Sequence, residues 1–588
     1  MKWSFSSGHF NFSNAQTSSA ADPNSGDPFA SFLLGLPDSA NRSNSQELKL
    51  RNRDFSPYIE DDIKLTPRLT VNLGLRWDIQ TPFTEDNNNV VFFNPDSPGV
   101  LPNEGIPGGA YKLGNCTGCA GFDRADIHWK HFGPRFGFAY QVSRKMVLQA
   151  GFDVAFLNGG AYEYGTNKVA VNYGNLLTGS FTRATTGGTT SSLGQWDTNP
   201  IPAVSPTPFS PDLGRGNQIN ALSKKVDGKA PYSQQWNVNL QRELPYNMFV
   251  TAAWVGNRII HLPSQNNKIN QMDPKYLALG PQLNDVFQPG QTELDGVPLP
   301  YPDFVTDFGG SATVAQALTP FPQYSNIFNN FEAFGTTYYQ GAQIEIEKRF
   351  SSGLSFLAGY TLSHLMDNTS SGFSSFTSGG INKYNQKPEW AVSSADEPQT
   401  LKVSGTYLLP IGPGQKYVNN HKMGNIVGGW QVGWILDYES GTPNGPGENG
   451  TPFPNGFNRP DRNQSVKLET ASYSRARDYF LGKLPVAQMY DPNAFTPTPS
   501  QYVLGNAKRN YGGMRNPPYK MESLNAKKNF YMGERFKAIL SVDYFNAFNR
   551  TRFNGPDNNI SDAEFGQVTQ QGSQIKNRQG QVSFRLEF

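Results

Sequence analysis

From Leu69 to Trp77 the chain alternates without a break. Leu69, Val71, Leu73, Leu75 and Trp77 fall on one side of an extended strand, and Thr70, Asn72, Gly74 and Arg76 fall on the other. The pattern returns at Ala342–Glu347, at Leu354–Leu362, at Trp430–Tyr438 and at the C-terminus. There Gly580, Val582, Phe584, Leu586 and Phe588 interleave with Gln581, Ser583, Arg585 and Glu587. Side chains alternate across a strand, so each segment predicts a strand with one apolar and one polar face. The segments run to roughly 9–12 residues, longer than a usual soluble strand and suited to a tilted crossing of a bilayer. Many of the apolar faces are edged by Trp, Tyr or Phe, as in the interfacial girdles of membrane barrels.

The links between these segments come in two kinds. Thr66–Arg68, Ser143–Lys145, Leu244–Asn247, Ser351–Gly353 and Met532–Glu534 are tight. Between those hairpins lie long stretches rich in Gly, Pro, Asn and Ser, near 80–133, 157–234, 257–337, 364–398, 440–520 and 546–578. One link in the short series, from Pro410 to about Gly428, is longer than a tight turn. The predicted fold class is all-β: an antiparallel transmembrane β-barrel of outer-membrane type, with short periplasmic turns and long extracellular loops. The alternation supports roughly fourteen strands. A soluble all-β repeat protein is the competing architecture. Within the leading region, Trp3–Phe12 reads as strand-like, and Asp27–Pro37 predicts one short helix. Asp27 suits its N-cap, Pro28 its first turn, and Gly35 and Pro37 its end. Its apolar residues are expected to pack on the barrel rim.

Composition agrees with a barrel. Among 588 residues there are 41 Phe, 26 Tyr, 59 Gly and 43 Pro, yet the mean hydropathy is −0.54. Half of each barrel strand is polar, which reconciles abundant aromatics with a hydrophilic average. No apolar run approaches the ~18 residues of a membrane helix. A formal net charge of +2 gives no reason to expect nucleic acid as a partner. The start, Met1–Phe10, lacks the apolar stretch of a signal peptide.

Segments 58–78, 132–142, 231–244, 338–368, 428–443 and 542–554 together resemble the barrel of large TonB-dependent receptors of the Oar-like, carboxypeptidase-regulatory-like kind. The resemblance covers nearly the whole chain. It implies residence in the outer membrane of a Gram-negative bacterium, in contact with outer-membrane lipid. It also implies TonB-energised uptake of a bulky nutrient, such as a carbohydrate or oligomeric substrate, by the intact receptor. The terminal Phe584, Leu586 and Phe588 resemble the aromatic signal read by the barrel-assembly machinery. Such receptors also carry a signal peptide, an N-terminal extension, a TonB-binding segment and a plug. None of these is visible here, so the chain reads as the C-terminal barrel part, residues 1–588, with TonB contacted through an N-terminal region upstream. A barrel of a different class, whose loops bind a surface or matrix and which transports nothing, is the alternative function. The polar strand faces would line the lumen, with Arg76, Gln343, Glu345 and Lys402 as candidate lumen residues; the extracellular ligand is left unnamed.

Motifs with chemistry are few. Cys116 and Cys119 lie in the first long link, ahead of His128 and His131. A local disulfide fits an extracellular loop best; the spacing misses the usual zinc-finger pattern, and free thiols complete the alternatives. Asp557–Asp562 places oxygen-bearing side chains like a calcium loop but lacks the Gly of the sharp turn, so a solvated turn is the expectation. Asp61 and Asp62 would point to opposite faces of a strand, a poor arrangement for shared acid–base work. No nucleophile elbow, phosphate loop or dinucleotide fingerprint occurs, so no catalytic residue, cofactor or metal is expected.

Overall fold

The computed structural model describes residues 9–19, 21–22, 25–43, 50–51, 53–80, 84–85, 90–95, 106–113, 129–157, 178–182, 214–221, 230–264, 269–329, 332–369, 382–412, 414–419, 421–449, 459–469, 471–532, 536–572 and 577–588. Thirteen strands form its wall: β1 (Tyr58–Thr66), β2 (Leu69–Trp77), β3 (Phe132–Ser143), β4 (Met146–Phe156), β5 (Tyr232–Leu244), β6 (Met248–Ser264), β7 (Glu332–Ser351), β8 (Leu354–Asp367), β9 (Gln399–Leu408), β10 (Trp430–Glu439), β11 (Tyr519–Met532), β12 (Phe536–Phe545) and β13 (Gln579–Glu587). Each pairs antiparallel with its sequence neighbour, in one sheet whose order follows the chain. A two-residue strand, Ala391–Val392, joins beside β8 as the fourteenth. Among the described residues, β1 and β13 each pair on one side only.

Turn chemistry makes the short links tight. Tyr246 and Asn247, and Ser352 and Gly353, all have positive φ, between 51° and 80°. Two successive residues with φ > 0 give a hairpin turn whose twist matches the right-handed twist of its strands. Gly353 accepts this readily, and a Cβ there would meet the Leu408 carbonyl oxygen at 2.6 Å.

Register puts the two sequence faces on the two sides of the wall. Lys402 pairs with Gly359 and Asp437, Glu345 with Gly359 and Thr251, and Asn237 with Gly151 and Val255. The opposite face carries Leu73, Phe136, Phe152, Leu240, Trp254, Ile344, Leu362 and Leu524, all exposed although large and apolar. Burying one such side chain gains roughly 1.5–3 kcal/mol, and the face forgoes that gain many times over in water. A hydrocarbon surround removes the penalty.

The buried apolar residues lie elsewhere. Met272, Leu283, Phe287 and Phe304 form one core, Phe93, Ile219, Tyr324 and Ile327 a second, and Tyr490, Phe495, Met514 and Phe565 a third. All are in the long links. Ile106 of the first long link sits in the core built by residues 272–315, and Tyr502 of the fifth packs against it. The loops thus form an interlocked canopy with the interior of a water-soluble protein, above a wall with its apolar side turned out.

Three expectations change. β6 and β7 run for 17 and 20 residues, beyond the predicted span. Their pairing continues past the membrane-length segment to Ser264 and Glu332, because each strand satisfies the other's backbone groups. The helix forms at Pro28–Leu33 with Asp27 accepting from the amides of Phe29 and Ala30, but its apolar residues do not pack on the rim. Phe29, Phe32, Leu33 and Leu34 are exposed, and Phe32 meets the rings of Phe12 and Phe29. The helix is too short to bury a full apolar stripe. Of the predicted strand Trp3–Phe12, His9–Asn11 is extended, yet it pairs with Ser39–Ser43 in a small sheet completed by Thr178–Thr182. It does not join the wall; residues 1–8 lie outside the described residues.

Candidate functional site: polar wall face and loop canopy

The alternation that sends Leu436 and Tyr438 outward brings Asp437 and Glu439 to the polar face. Thr400 and Lys402 come beside them from β9. Lys402 Nζ reaches Glu439 Oε1 at 2.9 Å and Asp437 Oδ2 at 3.6 Å. Glu345 occupies the same cross-strand row, separated from Lys402 by Gly359, where a Cβ would meet no atom within 4 Å. The result is an open row of acid, gap, base and acid. Burial, reinforced by Glu439, pushes the Glu397 carboxyl just beyond β9 above the usual carboxylate range.

Closer to the short turns the polar face widens into a trough of about 810 Å³. Glu345, Leu357, Ser404, Ile435, Ser523 and Asn525 are among its lining residues. Leu357 and Ile435 break the alternation: both are apolar, both lie on the polar face, and they are 44% and 57% exposed. Ser404 stands between them in the register.

At the other end of the wall, buried ion pairs fasten the canopy. Arg515 Nη2 reaches Asp396 Oδ2 at 2.6 Å, and its remaining nitrogens donate to the carbonyls of Asp396, Gly441 and Gly512. Asp396 Oδ1 accepts from the Leu365 amide. Arg509 pairs with Asp367, and Arg459 with Glu389 at 2.8 Å. Arg550 reaches Glu522 at 3.1 Å, and Tyr438 Oη donates to the same carboxylate. A buried charge is tolerable only when paired and hydrogen-bonded, and the Arg515–Asp396 pair meets that condition. Arg509 has its carboxylate, but its Nε and Nη1 are buried with no hydrogen-bond partner among the described residues.

A family model for the outer membrane beta-barrel domain matches residues 1–581. The chain belongs to that family. It is an outer-membrane β-barrel, and its place is the outer membrane of a Gram-negative bacterium. Similar solved structures include the ferripyoverdine receptor of the outer membrane of Pseudomonas aeruginosa, at 10% identity and TM-score 0.37, over 92% of this chain and 39% of that one. The ferric citrate transporter FecA has 8% identity and TM-score 0.35, over 94% and 46%. The FrpB iron transporter from Neisseria meningitidis has 10% identity and TM-score 0.36, over 92% and 47%. This chain thus spans less than half the length of each. No curated protein matches the sequence.

In outer-membrane barrels as a class the short turns are periplasmic, the long links extracellular, and the polar strand faces line the lumen. Glu345 and Lys402 come together in one row, with Gln343 one step farther along β7, paired with Ala253 and Thr361. Arg76 lies apart, near the extracellular end of β2, where it reaches Asp78 at 2.8 Å. Phe584 and Leu586 are on the outward face of β13, and the terminal Phe588 is 96% exposed. Cys116, Cys119 and His128 lie outside the described residues, while His131 stacks on Phe156 at 4.4 Å. In Asp557–Asp562 the side chains bond to their own turn and to Asn444, Gly445 and Asn449, and no metal-holding group of His, Cys, Asp or Glu occurs among the described residues.

Sequence reasoning missed Glu439, which the same alternation would have found one residue beyond Tyr438. It also missed Arg515 and Asp396. They stand 119 residues apart with no shared motif, so no sequence signal joins them.

Proposed function

We propose that the chain supplies the barrel wall and ligand-catching canopy of a TonB-dependent receptor of the Oar-like kind, importing a bulky nutrient from outside the cell. The observation that carries the reading is the pairing of a wide polar lumen face with an ordered extracellular canopy. A passive pore needs no loop bodies with their own cores. A receptor needs loops stiff enough to present a surface, because ordering them at the moment of binding costs affinity. In this reading the Glu345–Gly359–Lys402–Asp437 row and the exposed Leu357 and Ile435 offer mixed polar and apolar contacts along the lumen. Arg76 and Gln343 contribute further polar groups. A carbohydrate or an oligomer would suit such a wall. Phe584, Leu586 and Phe588 serve as the signal for the barrel-assembly machinery, and Cys116 and Cys119 close a small extracellular disulfide loop.

The test is a depletion experiment in the native host. Cells with the intact gene, cells lacking it, and cells with TonB inactivated are grown on a medium of bulky solutes, and the solutes remaining are measured by mass spectrometry. A solute consumed only when both the receptor and TonB are present supports the proposal and names the substrate. Equal consumption in all three, with loss of surface attachment in the gene deletion, would replace it by the adhesion barrel.

A further inference from the structure

One periplasmic link departs from the tight-turn series. Between β9 and β10 the chain runs from Leu409 to Gly429 and carries the helix His421–Val427. Glycine contact closes this excursion. A Cβ on Gly428 would come within 2.5 Å of both the Gly412 Cα and the Gly424 carbonyl oxygen. Tyr417 donates its amide to the Pro410 carbonyl, and Gly412 to that of Tyr417. The link is therefore a built element, not slack chain.

Its position follows from Lys528. In β11, Lys528 has the parity of Leu524, Ala526 and Phe530, which is the outward, lipid-facing parity; it pairs with Trp430 and Leu540. Its ammonium donates to the carbonyls of Ile426 and Gly428 at 2.7 and 2.6 Å, and lies 5.2 and 5.0 Å from the rings of Trp430 and Phe530. The end of the helix thus sits against the outside of the wall at its periplasmic edge, not beneath the lumen. There Met423 and Ile426 are 60% and 72% exposed, and Tyr417, Val418 and Val427 are exposed as well. Lys416 is exposed beside Tyr417, Lys422 follows in the sequence, and residues 410–428 contain no Asp or Glu.

We propose that the 410–428 link is an interfacial anchor that lies in the periplasmic leaflet, with Met423 and Ile426 at the headgroup–acyl boundary and Lys416 against the phospholipid headgroups. The occupant is lipid because the exposed patch continues the outward apolar face of β10 and β11, and because a segment with lysines and no carboxylate complements anionic headgroups. A lysine that ties the helix end to the wall fixes the depth at which the segment lies.

The experiment uses the full-length protein in isolated outer membranes, with Cys116 and Cys119 replaced by Ser. Single cysteines at Met423→Cys, Ile426→Cys and Ser352→Cys carry an environment-sensitive fluorophore. The expected result is blue-shifted emission at 423 and 426, quenched by a nitroxide lipid labelled near its headgroup and resistant to aqueous iodide, while the probe at 352 shows the reverse. Iodide quenching at 423 and 426 equal to that at 352 would overturn the proposal. So would protection from both quenchers, which would show a protein partner covering the patch. The two exposed positions are tested separately, so poor folding of one variant leaves the other to decide.

Discussion

Arg515 donates to Asp396 twice, to the carboxylate at 2.6 Å and to the main-chain carbonyl at 3.0 Å. Both side chains are nearly buried. The pair joins the link before β9 to the link before β11, and Gly441 after β10 accepts from the same guanidinium at 3.0 Å. A single arginine thus fastens the link before β9 to both ends of the link between β10 and β11. Arg515→Met should cost about 3–5 kcal/mol, because it leaves a buried carboxylate unpaired. The double variant Arg515→Met with Asp396→Asn should cost less, since a neutral amide still accepts from the Leu365 amide. Limited proteolysis of residues 459–515 in urea reads the difference. Equal protection of all three proteins would show that the pair does not hold the canopy.

Sidedness is tested by tags. An epitope inserted at Gly290, an exposed turn in the canopy, should bind antibody on intact cells, and one at Ser352 should bind only after permeabilisation. The opposite labelling would reverse the barrel.

Phe588 is almost wholly exposed, so the folded wall gains little from its packing. Deleting it from the full-length protein should slow membrane insertion strongly while leaving the unfolding midpoint of inserted protein almost unchanged. Phe356→Ala, an outward site within β8, should do the reverse: normal insertion, and a loss of up to about 3–5 kcal/mol. Pulse-chase appearance of the protease-resistant form separates the two effects.

Glu397 gives the barrel mouth a pH dependence. Its carboxyl is raised by burial and then by Glu439, so the folded protein holds that proton more tightly than the unfolded chain does. Between the two pKa values the folded state binds more protons, and stability falls as pH rises through that window. The contribution should therefore improve on acidification from neutral toward the ordinary carboxylate range. Glu397→Gln should flatten that slope and stabilise the protein slightly at pH 7. Urea midpoints at pH 7, 6 and 5 measure it; a parallel slope in the variant would assign the effect to another group.

The wall was legible in the sequence because a strand's two-residue period is local. Leu69–Trp77 and Leu354–Leu362 state their own faces, and tight turns such as Ser351–Gly353 fix which residues stand opposite. Lys402 and Glu345 could be assigned to the polar face on that ground alone. Register then decided what alternation cannot: Lys402 stands beside Asp437 and across Gly359 from Glu345, and Leu357 and Ile435 stand on either side of Ser404. The canopy was not legible. Its cores join Ile106 to Phe287 and Phe93 to Tyr324, and its ion pairs join Asp396 to Arg515, across separations where loop closure carries no periodic mark. Such contacts are selected by shape and by the need to pair every buried charge, and both exist only once the chain has folded back on itself.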